Sequence, residues 1–196
     1  MKRFFDVAAV LLTAPVSVPI VIIAAVALAL ELRGNPFFVQ ERVGLRGERF
    51  LMFKLRTMRH ASATELSLYE VGNWDTYVFA PPDRPDPRIT RLGAFARKTS
   101  IDELPNLWNV FRGEMSLVGP RPEIPALVEQ YPVAYHRRHE VLPGIAGLAQ
   151  VEGRSDLAYA EVMKYDLAYV DTRSFLGDLR ILLKTVAVVA RGSGAR

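Results

Sequence analysis

The chain contains no cysteine. That excludes a disulfide framework, a cysteine-containing zinc site and a thiol nucleophile, and it leaves the redox compartment open. Histidine is scarce as well, with three in 196 residues. His136 and His139 stand three apart, but Arg137 and Arg138 lie between them, which argues against a metal-binding pair. Acidic residues do not dominate: 25 Lys and Arg against 21 Asp and Glu give a formal net charge of +4. That balance suits nucleic acid, anionic lipid and phosphorylated substrates alike. The length provides for one domain, or one domain with an appendage.

Charge is absent altogether from residues 7–30. About 20 apolar residues suffice to cross the hydrocarbon core of a bilayer as a helix. A cleaved signal, a straight span, and a helix that enters the bilayer and returns to the same face all draw on such a composition. The run exceeds the usual signal core of about 7–15 residues. Pro15 and Pro19 fall inside it, and each removes an amide donor and disfavours a straight helix. Lys2 and Arg3 flank one end, while Arg33, Arg42 and Arg46 follow the other. A single span cannot keep both basic flanks on the cytoplasmic side. Asp6, at the edge of the run, is easier to hold near the interface than to translocate. Re-entry, with the helix bent at Pro15 and Pro19, is therefore the expectation. It divides the chain into a membrane-anchoring segment over residues 1–35 and a cytoplasmic domain over residues 36–196.

After the break at Gly34-Asn35-Pro36, residues 37–40 and 50–58 read as two strands joined by a turn with two glycines. This predicts a small β-hairpin. Lys54 and Arg56 alternate with Phe53 and Leu55, so the two cations share one face, and a solvated strand face is the simplest account of them. Residues 59–88 are rich in proline toward their end and read as a surface loop.

Residues 97–122, RKTSIDELPNLWNVFRGEMSLVGPRP, hold the densest chemistry. Leu104, Leu107, Trp108 and Phe111 recur at helical spacing and predict an amphipathic helix, which Gly113 closes. Either Ser100 or Asp102 serves as its cap, and both choices place Asp102 and Glu103 at a helix N-terminus, where free backbone amides attract phosphate. An Asp-Glu pair at such a place is by itself only a cap, worth about 0.5–2 kcal/mol. A cap, however, requires neither Arg97 and Lys98 ahead of it nor Gly-Pro-Arg-Pro behind it. Neighbouring helical residues point roughly 100° apart, so the two acids can serve different partners. A carboxylate can attack phosphorus to give an acyl phosphate that a second acceptor discharges. Arg121, held extended between two prolines, suits bidentate phosphate binding.

Further on, residues 122–139 read as helix broken at Pro125 and Pro132. They end in the basic run His136-Arg137-Arg138-His139, which is either a solvated face or a contact for anionic lipid. Residues 156–171 read as a helix with its Tyr and Leu positions inward. Residues 174–190 carry an apolar stripe (Phe175, Leu176, Leu179, Leu182, Leu183, Val186) that is either packed in the core or laid in a membrane interface.

With these segments in view, the chain resembles the bacterial sugar transferase family, the small monotopic phosphoglycosyl transferases. The resemblance runs through Lys2-Arg3-Phe4-Phe5-Asp6, the proline-containing apolar segment and residues 50–58. It continues through SIDELPNLWNVFRGEMSLVGPRP, then LPGIAGLAQVEGR and residues 165–179, with only residues 59–88 outside it. It implies transfer of a phospho-sugar from a UDP-sugar to polyprenyl (undecaprenyl) phosphate through a covalent aspartyl intermediate, which starts glycoconjugate assembly. Asp102 is then the nucleophile and Glu103 its magnesium-binding neighbour. Arg97, Arg121 and Lys54 are implied phosphate ligands, Arg154 lies near the nucleotide-sugar, and Asp166 and Asp178 are supporting acids. In the family's bend a serine precedes the proline, whereas here Val18 precedes Pro19, Ser17 is displaced by one and Pro15 is additional.

The resulting expectation is an α+β, mostly helical protein. It comprises a re-entrant membrane helix, a small β-hairpin, and amphipathic interfacial helices around a catalytic helix N-terminus. The implied setting is the cytoplasmic face of a bacterial inner membrane, with Mg2+ as cofactor. The implied partners are a UDP-sugar, polyprenyl phosphate and membrane lipids, and nucleic acid is not among them. A membrane-anchored scaffold with purely structural acids, or a phosphohydrolase acting on lipid diphosphates, would use the same residue types. No pattern in the sequence selects the sugar, the polyprenol length, the glycan pathway or an oligomeric state.

Overall fold

The computed structural model describes residues 2–60, 86–152 and 157–190. Its first element, α1 (Lys2–Leu32), is one helix of 31 residues. At 1.5 Å per residue it is roughly 46 Å long. Pro15 and Pro19 both lie inside this helix and do not split it into two elements. Each proline deletes a single donor, and the turns on either side carry the ladder through. Asp6, Val10, Ser17, Ala25 and Leu28 are buried, a stripe that stays on one side along the whole helix. Leu11, Leu12, Val16, Ile22 and Ile23 are exposed.

Both ends of α1 are fastened to the same body. At the start, Lys2 Nζ donates to the Val118 carbonyl and the Tyr169 hydroxyl, each at 2.9 Å, and pairs with Asp178. Arg3 donates to the carbonyls of Val110 and Phe111, and Asp6 accepts from Ser116 Oγ at 2.9 Å. At the far end Ala25 and Leu28 pack on Leu55, and Glu31 accepts from the Leu92 amide at 3.3 Å.

The expected hairpin forms from β1 (Phe37–Val43) and β2 (Arg49–Leu55), antiparallel, with Phe37 opposite Leu55 and Val43 opposite Arg49. A 3-10 turn at Leu45–Gly47 joins them. Phe50 and Met52 enter a core with Val10, Val110 and Met115. Residues two apart share a strand face, so Lys54 follows Phe50 and Met52 inward. The sequence expectation of a solvated face for Lys54 is therefore reversed: its side chain is 13% exposed. The free edge of β2 is closed by buried Asn109, which accepts from the Phe53 amide at 3.2 Å and donates to the Leu51 carbonyl at 2.7 Å.

Two helices follow, α2 (Arg91–Lys98), capped by the Thr90 side chain, and α3 (Asn106–Arg112). Gly113 ends α3 with φ 89°, the left-handed C-cap that the sequence predicts. The buried side of α3 is Asn106, Asn109 and Val110. Its apolar stripe points the other way, with Trp108 and Phe111 exposed beside α1. Next, β3 (Ser116–Val118) pairs in parallel with β4 (Gly144–Ala146). A Cβ on Gly119 would collide with the Leu142 carbonyl, so only glycine permits this approach.

The helix expected over residues 122–139 is short. It comprises α4 (Pro125–Val128) and then a 3-10 segment, Val133–Glu140, separated by Pro132. The basic run within it is not a surface feature throughout: Arg138 is 2% exposed and His139 8%. Next come α5 (Leu148–Glu152), α6 (Tyr159–Thr172) and α7 (Phe175–Ala190). In α6 the inward positions are Tyr159, Met163, Asp166, Tyr169 and Val170, with no leucine among them. In α7, Asp178 and Ile181 are buried while Phe175, Leu176, Leu179, Leu183 and Val186 are exposed. Leu182 packs against the core beside Ile181, and the rest of the apolar stripe of α7 is an outer face.

Candidate active site

Asp102 and Glu103 do not occupy the first turn of a helix. They lie in a 3-10 turn, Ile101–Glu103, entered through Ser100 at φ 57°, with no side-chain cap, and Pro105 takes the N-cap position of α3. Pro105 has no amide to donate, so the chain tightens into i→i+3 bonds: Glu103 to Ser100, Leu104 to Ile101, Leu107 to Leu104. The seven-residue α3 is also too short for its dipole to define an anion site. The electrostatics here come from side chains.

Three cations converge on the pair from separate elements. Glu103 Oε1 accepts from Lys54 Nζ of β2 at 2.7 Å and from Arg121 Nη2 at 2.9 Å. Arg97, at the end of α2, is aimed by Thr57, whose Oγ1 accepts from its Nε at 3.0 Å, and by Met58 Sδ at 3.1 Å. Asp102 feels the charges of Glu103, Lys54, Arg97 and Arg121. Three cations against two carboxylates leave a surplus positive charge, which fits an anionic substrate.

The two acids titrate in opposite directions. Burial works to raise both. For Glu103 the charges and hydrogen bonds of Arg121 and Lys54 outweigh burial and hold the carboxyl well below the usual range. For Asp102, burial together with the neighbouring Glu103 charge prevails over the three cations, and its carboxyl is raised. Neighbouring carboxylates pushed apart in this way have distinct chemical roles. Glu103 is the more readily ionised of the two, and Asp102 is the more basic. Lys54 is pushed down by burial and by Arg121, an effect that Glu103 partly offsets.

The remaining sequence-derived residues divide. Arg97, Arg121 and Lys54 join Asp102 and Glu103. Asp166 does not: it is buried in an ion pair with Arg138 at 2.6 Å, and Arg138 in turn donates to the Arg121 carbonyl. Asp178 binds Lys2 and, at 2.8 Å, the Tyr169 hydroxyl, so it anchors the start of α1. Arg154 lies outside the described residues, as does most of the loop expected over residues 59–88. The sequence reading passed over Asp86 and Arg88, which form a close pair and whose charges reach Arg97. A charged Asp-Pro-Arg directly ahead of the α2 cap was the available signal.

Among the described residues no group of three or more His, Asp or Glu is placed to hold a metal. The donor set is two adjacent carboxylates, with one Glu103 oxygen already engaged by two cations. Magnesium commonly binds through one or two carboxylates and completes its shell with water and substrate phosphates. The residues present fit an ion that shares its coordination with a bound diphosphate. Immediately past the acids, Leu104, Pro105 and Trp108 face Val10, Ser17 and Val21 of α1 across an apolar groove of about 330 Å3.

The family model for bacterial sugar transferases matches residues 1–192. The chain belongs to the bacterial sugar transferase family. It is 42% identical over 200 residues to the UDP-galactose-lipid carrier transferase of Erwinia amylovora, an alignment that covers all of this chain and 41% of that protein. It is 40% identical over 193 residues to the UDP-glucose:undecaprenyl-phosphate glucose-1-phosphate transferase of Caulobacter vibrioides, covering 94% of this chain and 68% of the relative. It is also 36% identical to the exopolysaccharide production protein ExoY of Rhizobium meliloti, over 99% of this chain and 87% of that one. Some relatives are much longer: the chain spans about two fifths of the Erwinia protein and of the galactosyl transferase CpsE of Streptococcus agalactiae. As a bacterial sugar transferase, the chain has its acid pair, its cations and its apolar N-terminal helix all within the matched residues.

Proposed function

We propose that this protein is a phosphoglycosyl transferase that moves a sugar phosphate from a UDP-sugar to undecaprenyl or a related polyprenyl phosphate. The observation that carries this reading is the convergence of Lys54, Arg97 and Arg121 on Asp102 and Glu103, which directly precede the groove-lining Leu104 and Pro105. In the first step an Asp102 oxygen attacks the sugar-bearing phosphorus. The bond from that phosphorus to the bridging oxygen breaks, UMP departs, and a sugar-phosphoryl aspartate remains. In the second step a phosphate oxygen of the polyprenyl phosphate attacks the same phosphorus. The bond to Asp102 breaks, giving polyprenyl-diphosphate-sugar and the free carboxylate.

Arg97, Arg121 and Lys54 hold the phosphates and offset the charge that develops on them. Glu103, kept ionised, orients Lys54 and Arg121 and, with Asp102, would hold magnesium. When bound, magnesium supplies charge neutralisation at the diphosphate. The groove between α1 and α3 suits the apolar chain of the acceptor, because its lining is apolar and includes Leu104 and Pro105, which follow the acid pair in the chain.

The fastening of α1 supports a membrane arrangement. Its length and composition suit a bilayer. A spanning helix would separate its two ends by the membrane, whereas Lys2 and Arg3 at one end and Leu28 and Glu31 at the other hold the same body. We therefore favour insertion from the cytoplasmic face of the inner membrane and return to it, with the apolar side of α7 resting in the interface. The direct test is UMP release from UDP-glucose and UDP-galactose in the presence of magnesium and undecaprenyl phosphate. Asp102→Asn is expected to abolish release, and full turnover by that variant would refute the role given to Asp102.

A further inference from the structure

The loop that carries Arg121 cannot hold itself. Pro120 and Pro122 flank the residue and neither has an amide to donate. Its carbonyls are held from outside, in succession. Arg138 Nη2 donates to the Arg121 carbonyl at 2.7 Å, Arg42 Nη1 to the Pro122 carbonyl at 3.2 Å, and the Val43 amide to the Glu123 carbonyl at 2.9 Å. Behind the loop, Arg138 is fixed by buried partners. Its Nη2 also donates to Asp166 Oδ2 at 2.6 Å, its Nη1 to the Tyr131 hydroxyl at 2.9 Å and to that of Tyr159 at 3.5 Å, and its guanidinium lies 5.8 Å from the Tyr131 ring centre. Glu123 faces the partly buried Arg42 at 3.5 Å and joins Arg138 and Asp166 as a third buried charged residue.

Burying one arginine and two acids, with a second arginine partly buried beside them, is a costly way to pack a core, since apolar residues of similar size often stabilise as well or better. What an apolar side chain cannot do is donate to a carbonyl. The planar fork of Arg138 gives Nη2 two acceptors at once, one on α6 and one on the Arg121 backbone. The other face of the loop is the site, where Arg121 Nη2 meets Glu103 Oε1.

We infer that Arg138 and Arg42 are positioning residues for phosphoryl transfer: they clamp the carbonyls of Arg121 and Pro122 and so aim the Arg121 guanidinium at Glu103 and the substrate diphosphate. Asp166, Tyr131 and Tyr159 hold Arg138 in that pose. None of these five residues needs to touch the substrate. The inference rests on the reading of Arg121 as a phosphate ligand, and it assigns to Asp166 an indirect role.

The test is a double-mutant cycle on the full-length protein in lipid nanodiscs, with single-turnover UMP release from UDP-glucose or UDP-galactose as the readout. Arg138→Lys keeps the charge and loses the fork. It should slow UMP release roughly 10- to 100-fold, mainly in the rate at saturating UDP-sugar. In an Arg121→Ala background the same substitution should cost less than about threefold, because its effect runs through Arg121. Arg42→Lys and Tyr131→Phe are the milder arms. They should show smaller losses that likewise vanish with Arg121→Ala, and they decide the matter if Arg138→Lys does not fold. Equal losses in both backgrounds would overturn the inference while leaving the proposed function intact. A wild-type protein that releases no UMP would instead overturn the proposed function itself.

Discussion

At the scale of single residues, the difference between Glu103 and Asp102 is one of partners. Lys54 and Arg121 share one oxygen of Glu103, whereas Asp102 has the same cations near it without a comparable direct contact and keeps the higher proton affinity. Adjacency in sequence made the pair visible. It did not reveal which acid the cations would select, because Lys54 arrives from a strand whose inward face was set by α3 closing over β2. Arg138 was missed for the same reason. His-Arg-Arg-His has the composition of a surface, and its burial depends on Tyr131, Tyr159 and Asp166, which lie outside the run.

His139, next to Arg138, supplies a pH prediction. Burial, then the charges of Arg138 and His136, push it down to about 4 from an ordinary value of 6.5. The unfolded chain therefore binds the proton first as pH falls. Stability is full above about pH 6.5, declines through the interval and has lost this contribution near pH 4. The total is on the order of 2–3 kcal/mol. Thermal unfolding across that range should flatten in His139→Gln.

At the scale of elements, the hairpin, the α3 stripe and the Gly113 cap were all legible, because each follows from local periodicity or a single left-handed residue. The helix start was not. Capping rules placed Asp102 and Glu103 in the first turn, but a proline two residues later converts that turn to 3-10 geometry and displaces the acids ahead of the helix. The direction of the α7 stripe could not be read from its period either, since periodicity reveals a face and not what lies against it. Gly113 gives the prediction at this scale. At φ 89° a side chain is strained, and a Cβ would stand 3.3 Å from Arg3 Nη2, which helps hold the start of α1 on the C-terminal end of α3. Gly113→Ala should lower stability by about 1–2 kcal/mol. Its melting curve should shift further than that of an alanine substitution at the exposed Gly47, which has φ 81° and open space around it.

At the scale of the whole molecule, the proposed reaction needs an apolar helix, a charged site and a groove near one another, so that a bilayer and a soluble phosphate donor can meet. The helix was conspicuous in the sequence. Its fastening at both ends was not, because Lys2, Arg3 and Asp6 read as flanking charge when in fact they are occupied by Asp178, the α3 carbonyls and Ser116. Re-entry predicts that a cysteine introduced at Lys2 and one introduced at Gly34 are both protected from a membrane-impermeant thiol reagent applied to the periplasmic side. Labelling of either one alone would indicate a span. The covalent role of Asp102 is the claim on which the remainder depends, and mass measurement of the intact protein tests it most directly. After incubation with UDP-sugar and magnesium, without any polyprenyl phosphate, the protein should gain the mass of one sugar phosphate on the peptide bearing Asp102. The adduct should be lost on adding acceptor. UMP release that requires the acceptor from the outset, with no such adduct, would contradict the account.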